Sequence, residues 1–351
     1  MVNRIKGRGT AVNTPNRFEQ LHLEPLDVSV EYENDAPPPA TRFFADHSRS
    51  ILAKNDSPDL PFTFSVNPYR GCEHGCVYCY ARPSHEYLGF SAGLDFETKI
   101  MVKMQAPELL EEAFRKKTWE PQVVALSGNT DCYQPAERKL QLTRRCLEIF
   151  LKYRNPVSIV TKNGLILRDL DLLRKMAELN IIQTMMSITS LDDDLIRKME
   201  PRTSRPAVRL RAIEELARNG IPVGVNAAPL VPGLTDEELP NILKAAAEHG
   251  ATSAGYILVR LPGAVKQLFV DWLRREFPDR AEKVLNRIRD TRKGKLSDAR
   301  FETRQEGEGE IAKAIRTLFT LHVEKYHLTE RRCGLSTNQF VCEPRGQMNL
   351  F

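Results

Sequence analysis

Six short, apolar, β-rich runs punctuate this chain of 351 residues, and helical stretches separate them. The runs are Phe62–Val66, Val123–Leu126, Val157–Val160, Ile181–Ile188, Val223–Ala227 and Gly255–Val259. Between them lie Pro107–Lys117, Leu140–Leu151, Asp169–Leu179, Pro206–Asn219 and Asp236–His249. Pro107 suits a first helical position. Leu140, Leu147, Phe150 and Leu151 recur at helical spacing. Strands that alternate with helices imply parallel βαβ units. The expected fold is therefore α/β, an open parallel (β/α)6 partial TIM barrel. In such barrels the chemistry sits on loops at the C-terminal ends of the strands, which selects the loops to inspect.

The pattern also divides the chain. Residues 1–60 hold the run Asp35–Pro39 with three prolines and few periodic apolar positions, so a partly irregular N-terminal extension is expected. Residues 61–265 carry the barrel. Residues 266–345 read as a charged, C-terminal helical cap, and 346–351 as an exposed tail. Hydrophobic residues at 41% and charged residues at 28% fit an ordinary globular protein. No run of about 18 apolar residues occurs, and no apolar stretch follows the basic start with Arg4, Lys6 and Arg8. No membrane span or signal peptide is expected, and the cytoplasm is the predicted location. The net charge is +5, and Leu273–Arg304 alone holds 11 Lys and Arg against 6 Asp and Glu, the same surplus. That segment is either a solvated helical face or a surface for phosphates such as a nucleic-acid backbone.

Chemistry concentrates in Asn67-Pro-Tyr-Arg-Gly-Cys72-Glu-His-Gly-Cys76-Val-Tyr78-Cys79-Tyr80. Of seven cysteines, three crowd into eight residues here, which reads as metal binding rather than a disulfide framework. Cys72, Cys76 and Cys79 follow the first barrel run. Three thiolates on one loop can hold three irons of a four-iron cluster and leave the fourth iron open. Gly71 and Gly75 let the loop wrap closely. The other reading is a zinc site completed by His74 or His85.

Cys-x3-Cys-x2-Cys with Tyr78 before the last cysteine resembles the radical S-adenosylmethionine superfamily. The resemblance implies a [4Fe-4S] cluster on three cysteines, with the amino and carboxyl groups of S-adenosylmethionine on the open iron. It also implies reductive cleavage to methionine and a 5′-deoxyadenosyl radical, an open (β/α)6 barrel, and Tyr78 against the adenine. Asn129-Thr130-Asp131, Val160-Thr161-Lys162, Met186-Ser187-Ile188 and Ala228-Pro229-Leu230 look like the spore photoproduct lyase and DNA repair photolyase branch, over roughly 62–259. A reductant such as flavodoxin or ferredoxin is the implied electron donor.

The remaining loops supply further candidates. Asn129, Thr130 and Asp131 can hydrogen-bond an amine or a ribose, or form a plain turn. Lys162 can pair with a carboxylate at a strand end; by resemblance that is the methionyl carboxylate, with Ser187 helping. Arg202 can clamp a carboxylate or phosphate, and Asn226 is a polar residue in an apolar run. Spore photoproduct lyase has a hydrogen-donating cysteine three residues before the Asp of this motif, where Gly128 stands here. Cys132 is the candidate donor in its place, or a buried thiol. Cys146, Cys333 and Cys342 read as ordinary thiols.

Gln347-Met-Asn-Leu350-Phe351 resembles the pentapeptide by which bacterial repair and replication proteins dock on the sliding clamp; alternatively Leu350 and Phe351 pack back on the barrel. The predicted function is a radical S-adenosylmethionine enzyme, lyase-like, abstracting hydrogen from an unassigned substrate for which a nucleic acid is a candidate. The alternative is a DNA-associated accessory protein with a structural Fe–S or zinc site and a clamp-binding tail.

Overall fold

The computed structural model describes residues 5–10, 12–18, 40–329 and 334–341. The run Asp35–Pro39, Cys333, Cys342 and the tail with Gln347, Leu350 and Phe351 lie outside the described residues. Among those described, the strands are β1 (Arg42–Ala45), β2 (Leu52–Lys54), β3 (Phe64–Val66), β4 (Tyr69–Arg70), β5 (Lys99–Val102), β6 (Val124–Leu126), β7 (Val157–Thr161), β8 (Ile182–Ser187), β9 (Val223–Leu230) and β10 (Ser253–Leu258).

The main sheet runs β10-β9-β8-β7-β6-β3-β2. From β3 to β10 every neighbouring pair is parallel, and only β2 joins antiparallel. The six expected runs are these six parallel strands, laid side by side in chain order. That is the open (β/α)6 partial barrel. All of β8 is buried, as a central strand covered on both faces must be.

The helices Ala106–Arg115, Leu142–Tyr153, Leu170–Glu178, Pro206–Arg218 and Leu239–Glu248 cross over between strands. Each turns an apolar stripe at helical spacing onto the sheet: Leu110 and Phe114; Cys146, Leu147 and Phe150; Leu173 and Met176; Ile213 and Leu216; Ile242, Leu243 and Ala246.

Within the first sixty residues, expected as a partly irregular extension, two short strands occur among the described residues. β2 pairs with β3 and extends the barrel sheet, while β1 enters a second sheet of order β1-β5-β4. Arg8 and Thr10 are buried. The cause is a distant carboxylate, Glu97, described below, which periodicity does not reveal. At the other end lie helices Val265–Glu276, Ala281–Asp290 and Glu310–Lys325. The first two pack Phe269, Trp272 and Val284 with Val77, Tyr78 and Met199, against the cysteine loop itself. The third sends Ile315, Phe319 and Val323 into the barrel core.

The basic segment is largely balanced locally. Arg274 pairs with Glu282, Arg287 with Asp236, Arg300 with Asp298 and Arg304 with Asp59. That favours the solvated face over a phosphate surface. Among the described residues no helix is long and apolar enough to cross a membrane.

Phe114 is fully buried, with ring centres 5.3 Å from Trp119, 5.4 Å from Phe150 and 5.8 Å from Tyr153. Phe114→Ala is expected to lower stability by about 3–5 kcal/mol through lost contacts and a cavity. Urea unfolding of the two proteins checks this, and a loss under about 1 kcal/mol would mean that the site collapses around the gap.

Candidate cofactor-binding cavity

The cysteine loop follows β4 and is held from below. Gly71 and Gly75 have φ of +82° and +68°, the left-handed region. A Cβ on Gly75 would sit 2.8 Å from Glu97 Oε2, so glycine is required there sterically as well. Arg82 donates from Nε and Nη2 to the Cys76 carbonyl at 3.0 and 2.9 Å, and from Nη1 to Ala92 and Gly93 carbonyls. It pairs with Glu97 at 2.6 Å, and both side chains are fully buried. Glu97 accepts from the Gly9 and Thr10 amides and the Thr10 hydroxyl, each at 3.1 Å. The chain near its start thus runs as a strap under the loop. Gln134 adds two more ties, donating to the Gly71 carbonyl and accepting from the Glu73 amide.

The strand-end loops are knitted together by carboxylates. Asp131 accepts from the Lys162 amide and the Thr161 hydroxyl, both at 2.8 Å, and faces His74 Nδ1 at 3.4 Å. Burial by itself would raise the Asp131 carboxyl; the charge and hydrogen bond of His74 and the other donors outweigh it and hold the group below its ordinary value. Glu200 is fully buried, pairs with Arg209, accepts from the Tyr78 and Thr189 hydroxyls, and lies 3.5 Å from Lys162 Nζ. Burial again opposes ionisation, and Arg209 and Lys162 prevail, so Glu200 stays well below the usual carboxylate range. Lys162 also donates to the Ala228 carbonyl at 2.8 Å and stands 5.8 Å from the Tyr78 ring centre.

Above this framework opens a cavity of about 320 Å³, a size suited to a small-molecule ligand. Cys72, Cys76, Cys79, Tyr78, Asn129, Thr130, Asp131, Lys162, Ser187 and Asn226 all line it. They divide into two groups. Thr130, Asp131 and Lys162 are committed to protein partners. The side chains of Asn129, Ser187 and Asn226 have no hydrogen-bond partner among the described residues and face the cavity.

Two candidates are corrected. Arg202 does not line the cavity; it pairs with Glu73 at 3.1 Å, as a brace on the back of the loop. Cys132 is fully buried within the barrel core, outside the lining. Burial first, then Asp131 and Glu137, push its thiol well above the ordinary value. It is a packed thiol out of reach of a ligand.

Sequence reasoning missed Asn67, whose carbonyl Oδ1 accepts the Asn129 and Thr130 amides and so shapes that loop. It also missed Arg82, Glu97 and Glu200, each buried and charged. Charged residues flanking a metal motif are the one signal that could have flagged them, since a buried charge must be paired.

The donor set decides between metals. His74 is occupied by Asp131 and Asn163. His85 Nε2 lies 2.8 Å from the Lys99 carbonyl and must donate to it. Among the described residues no three of His, Cys, Asp and Glu converge on one metal ion, as a zinc site needs. A four-iron cluster takes one cysteine per iron, so its ligands stay apart. Three free cysteines around an open cavity fit that group.

A family model described as the Radical SAM superfamily matches residues 66–246, more than half of the chain. The chain belongs to the radical SAM superfamily. Membership implies a [4Fe-4S] cluster and S-adenosylmethionine. A protein of Mycobacterium tuberculosis is 38% identical over 222 residues, 63% of this chain and 65% of its own length. One from Methanocaldococcus jannaschii is 30% identical over 175 residues, 50% of this chain and 63% of its own. The chain thus spans less than two thirds of the length of either relative. A mutant form of spore photoproduct lyase superposes with a TM-score of 0.54 at 16% identity, over 81% of this chain and 79% of that one. The same enzyme complexed with dinucleoside spore photoproduct gives 0.54 at 17%, over the same shares. These two likenesses show the shared partial-barrel fold.

At Gly128 a Cβ would lie 2.9 Å from Ser65 Cβ and 3.3 Å from its Oγ. Any side chain there requires Ser65 to give way.

His85 offers a pH test. Burial, aided by the charges of Arg82 and Lys99, holds its ring down to about 4 from 6.5, against the Lys99 carbonyl and Asp95. The unfolded ring protonates near pH 6.5 and the folded one only near pH 4, so the unfolded state binds more protons between them. Stability present at neutral pH should therefore fall as pH drops from about 6.5 towards 4. Denaturant midpoints at about pH 7 and about pH 5 should differ less in His85→Gln than in the parent protein, and equal differences would contradict the assignment.

Proposed function

We propose that Cys72, Cys76 and Cys79 hold the [4Fe-4S] cluster and that the adjoining cavity binds S-adenosylmethionine. The supporting observation is the coincidence in one cavity of three free cysteines and three unpartnered polar side chains, Asn129, Ser187 and Asn226. Held there and reduced, the cluster would supply the one electron for cleavage of S-adenosylmethionine to methionine and a 5′-deoxyadenosyl radical, the species that would abstract hydrogen.

The protein's own groups bind and orient. Asn129, Ser187 and Asn226 offer hydrogen bonds to the polar groups of the cofactor. Tyr78 presents its ring as an adenine wall, its hydroxyl anchored to Glu200 and Thr189. Lys162 sets the local charge: its ammonium stands on the lining with its donors shared among Glu200, Thr189 and Ala228, so a carboxylate there would gain its field by displacing one of them. Thr130 and Asp131 act through the loops, which they tie to Tyr69 and Lys162. The cavity walls are mostly apolar, as radical chemistry needs if water is to be kept out.

In this reading the enzyme is lyase-like and works in the cytoplasm, where thiols stay reduced. It receives electrons from a flavodoxin or ferredoxin. Nucleic acid is the substrate class suggested by the lyase-like branch. The tail with Gln347, Leu350 and Phe351 would bring the enzyme to a sliding clamp.

Anaerobic reconstitution followed by reduction tests the assignment. The parent protein should bind iron and sulfide and form 5′-deoxyadenosine, and Cys76→Ala should lose both. Ser187→Ala and Asn226→Ala should keep the cluster and raise KM for S-adenosylmethionine roughly tenfold each, about one lost hydrogen bond. A Cys76→Ala protein that still cleaves the cofactor would overturn the ligand set.

A further inference from the structure

At the outer end of the same cavity, two residues past β10, stands Arg260. We propose that Arg260 is a substrate-binding residue that takes an anionic oxygen group, phosphate or carboxylate, at the cavity mouth. The inference rests on the cavity being the reaction site proposed above.

Arg260 has no hydrogen-bond or ion-pair partner among the described residues. Its guanidinium lies over the Tyr80 ring, 4.9 Å from the centre. That contact engages no N–H group in a hydrogen bond, so the donors of Arg260 stay open to a carboxylate or phosphate, which a guanidinium grips by two bonds. The neighbouring cation is already spent: Arg304 forks onto Asp59 through two bonds of 2.5 Å. Asp59 is thus taken up by Arg304, and Arg260 is left without a carboxylate of its own. Burial and Arg304 both disfavour the charged form of Arg260, with Tyr80 and Asp59 opposing them. An anion entering the cavity relieves that cost.

The fold holds this cation in place. Arg292 is almost fully buried and donates to the carbonyls of Leu258, Val259 and Thr303. The Leu258 amide donates to the Gln305 carbonyl at 2.8 Å. These bonds fix the chain on both sides of the mouth. Tyr80 is tied across it by its hydroxyl, which donates to the Gly128 carbonyl at 2.7 Å. Beside Arg260, the buried side-chain Oε1 of Gln305 lines the cavity with no partner. An orphaned donor edge and an orphaned acceptor at one mouth suit a ligand with an anion next to a hydrogen-bond donor.

The test is calorimetric titration of the full-length, cluster-loaded protein with inorganic phosphate, dimethyl phosphate and acetate. These separate free phosphate, a phosphodiester and a carboxylate as the source of the anion. Saturable binding of at least one is expected, weakened about tenfold or more by Arg260→Ala and partly restored in Arg260→Lys, which keeps the charge and loses the fork. Flat titrations with all three, or equal affinity in Arg260→Ala, would overturn the proposal. Iron content and 5′-deoxyadenosine are read on the same preparation. A sample that cleaves the cofactor and ignores the anions sinks this inference alone, and one that holds no cluster sinks the functional reading.

Discussion

The site depends on one buried ion pair. Arg82 and Glu97 meet at 2.6 Å with neither side chain exposed. A pair so placed adds little net stability over an apolar substitute, because both ions lose water. What it contributes here is position. Arg82 has already used its remaining donors on the carbonyls of Cys76, Ala92 and Gly93, and Glu97 its oxygens on Gly9 and Thr10. Breaking either partner strands a charge in the interior and frees the backbone between two of the three cysteines. The loop is short of regular hydrogen bonds of its own, so these side chains replace the missing secondary structure.

The same principle recurs around the cavity. The Asp131 and Glu200 carboxylates are buried beside the cavity, yet each is satisfied within the protein, the first by His74 and the second by Arg209. They stiffen the strand-end loops and leave the unpartnered polar groups, Asn129, Ser187 and Asn226, to meet a ligand. Preorganisation of this kind lowers the ordering cost of binding. Arg260 is the exception: it has no hydrogen-bond or ion-pair partner among the described residues, and it lies over Tyr80, next in the chain to Cys79.

The barrel was legible in the sequence because its strands are buried on both faces and read as continuous apolar runs, which fixes their number and order. The three cysteines were legible because their spacing is itself the chemistry. Asn129, Lys162, Ser187 and Asn226 were singled out by their places at or near strand ends and Tyr78 by the resemblance that its cysteine motif carries, and all five line the cavity. The misreadings have a common cause. Arg202 and Cys132 sit close in sequence to residues that line the cavity or brace it, and linear proximity does not tell which side of a loop a residue faces. Glu200 shows it best: two residues from Arg202, it reaches Tyr78 and Lys162 while Arg202 turns back to Glu73. The strap of Gly9 and Thr10 lay hidden for a different reason. Its partner Glu97 is 88 and 87 residues away, and no periodicity encodes such a contact.

The packing of helices Val265–Glu276 and Ala281–Asp290 on Val77 and Tyr78 has a bearing on assembly. A nascent chain leaves the ribosome in order, so Cys79 emerges roughly 190 residues ahead of Trp272. Through that interval the cysteine loop lacks the wall that later covers its apolar side. Docking of those helices closes only that apolar side: in the finished fold the three cysteines still line the open cavity, so their access does not hinge on when the C-terminal helices arrive.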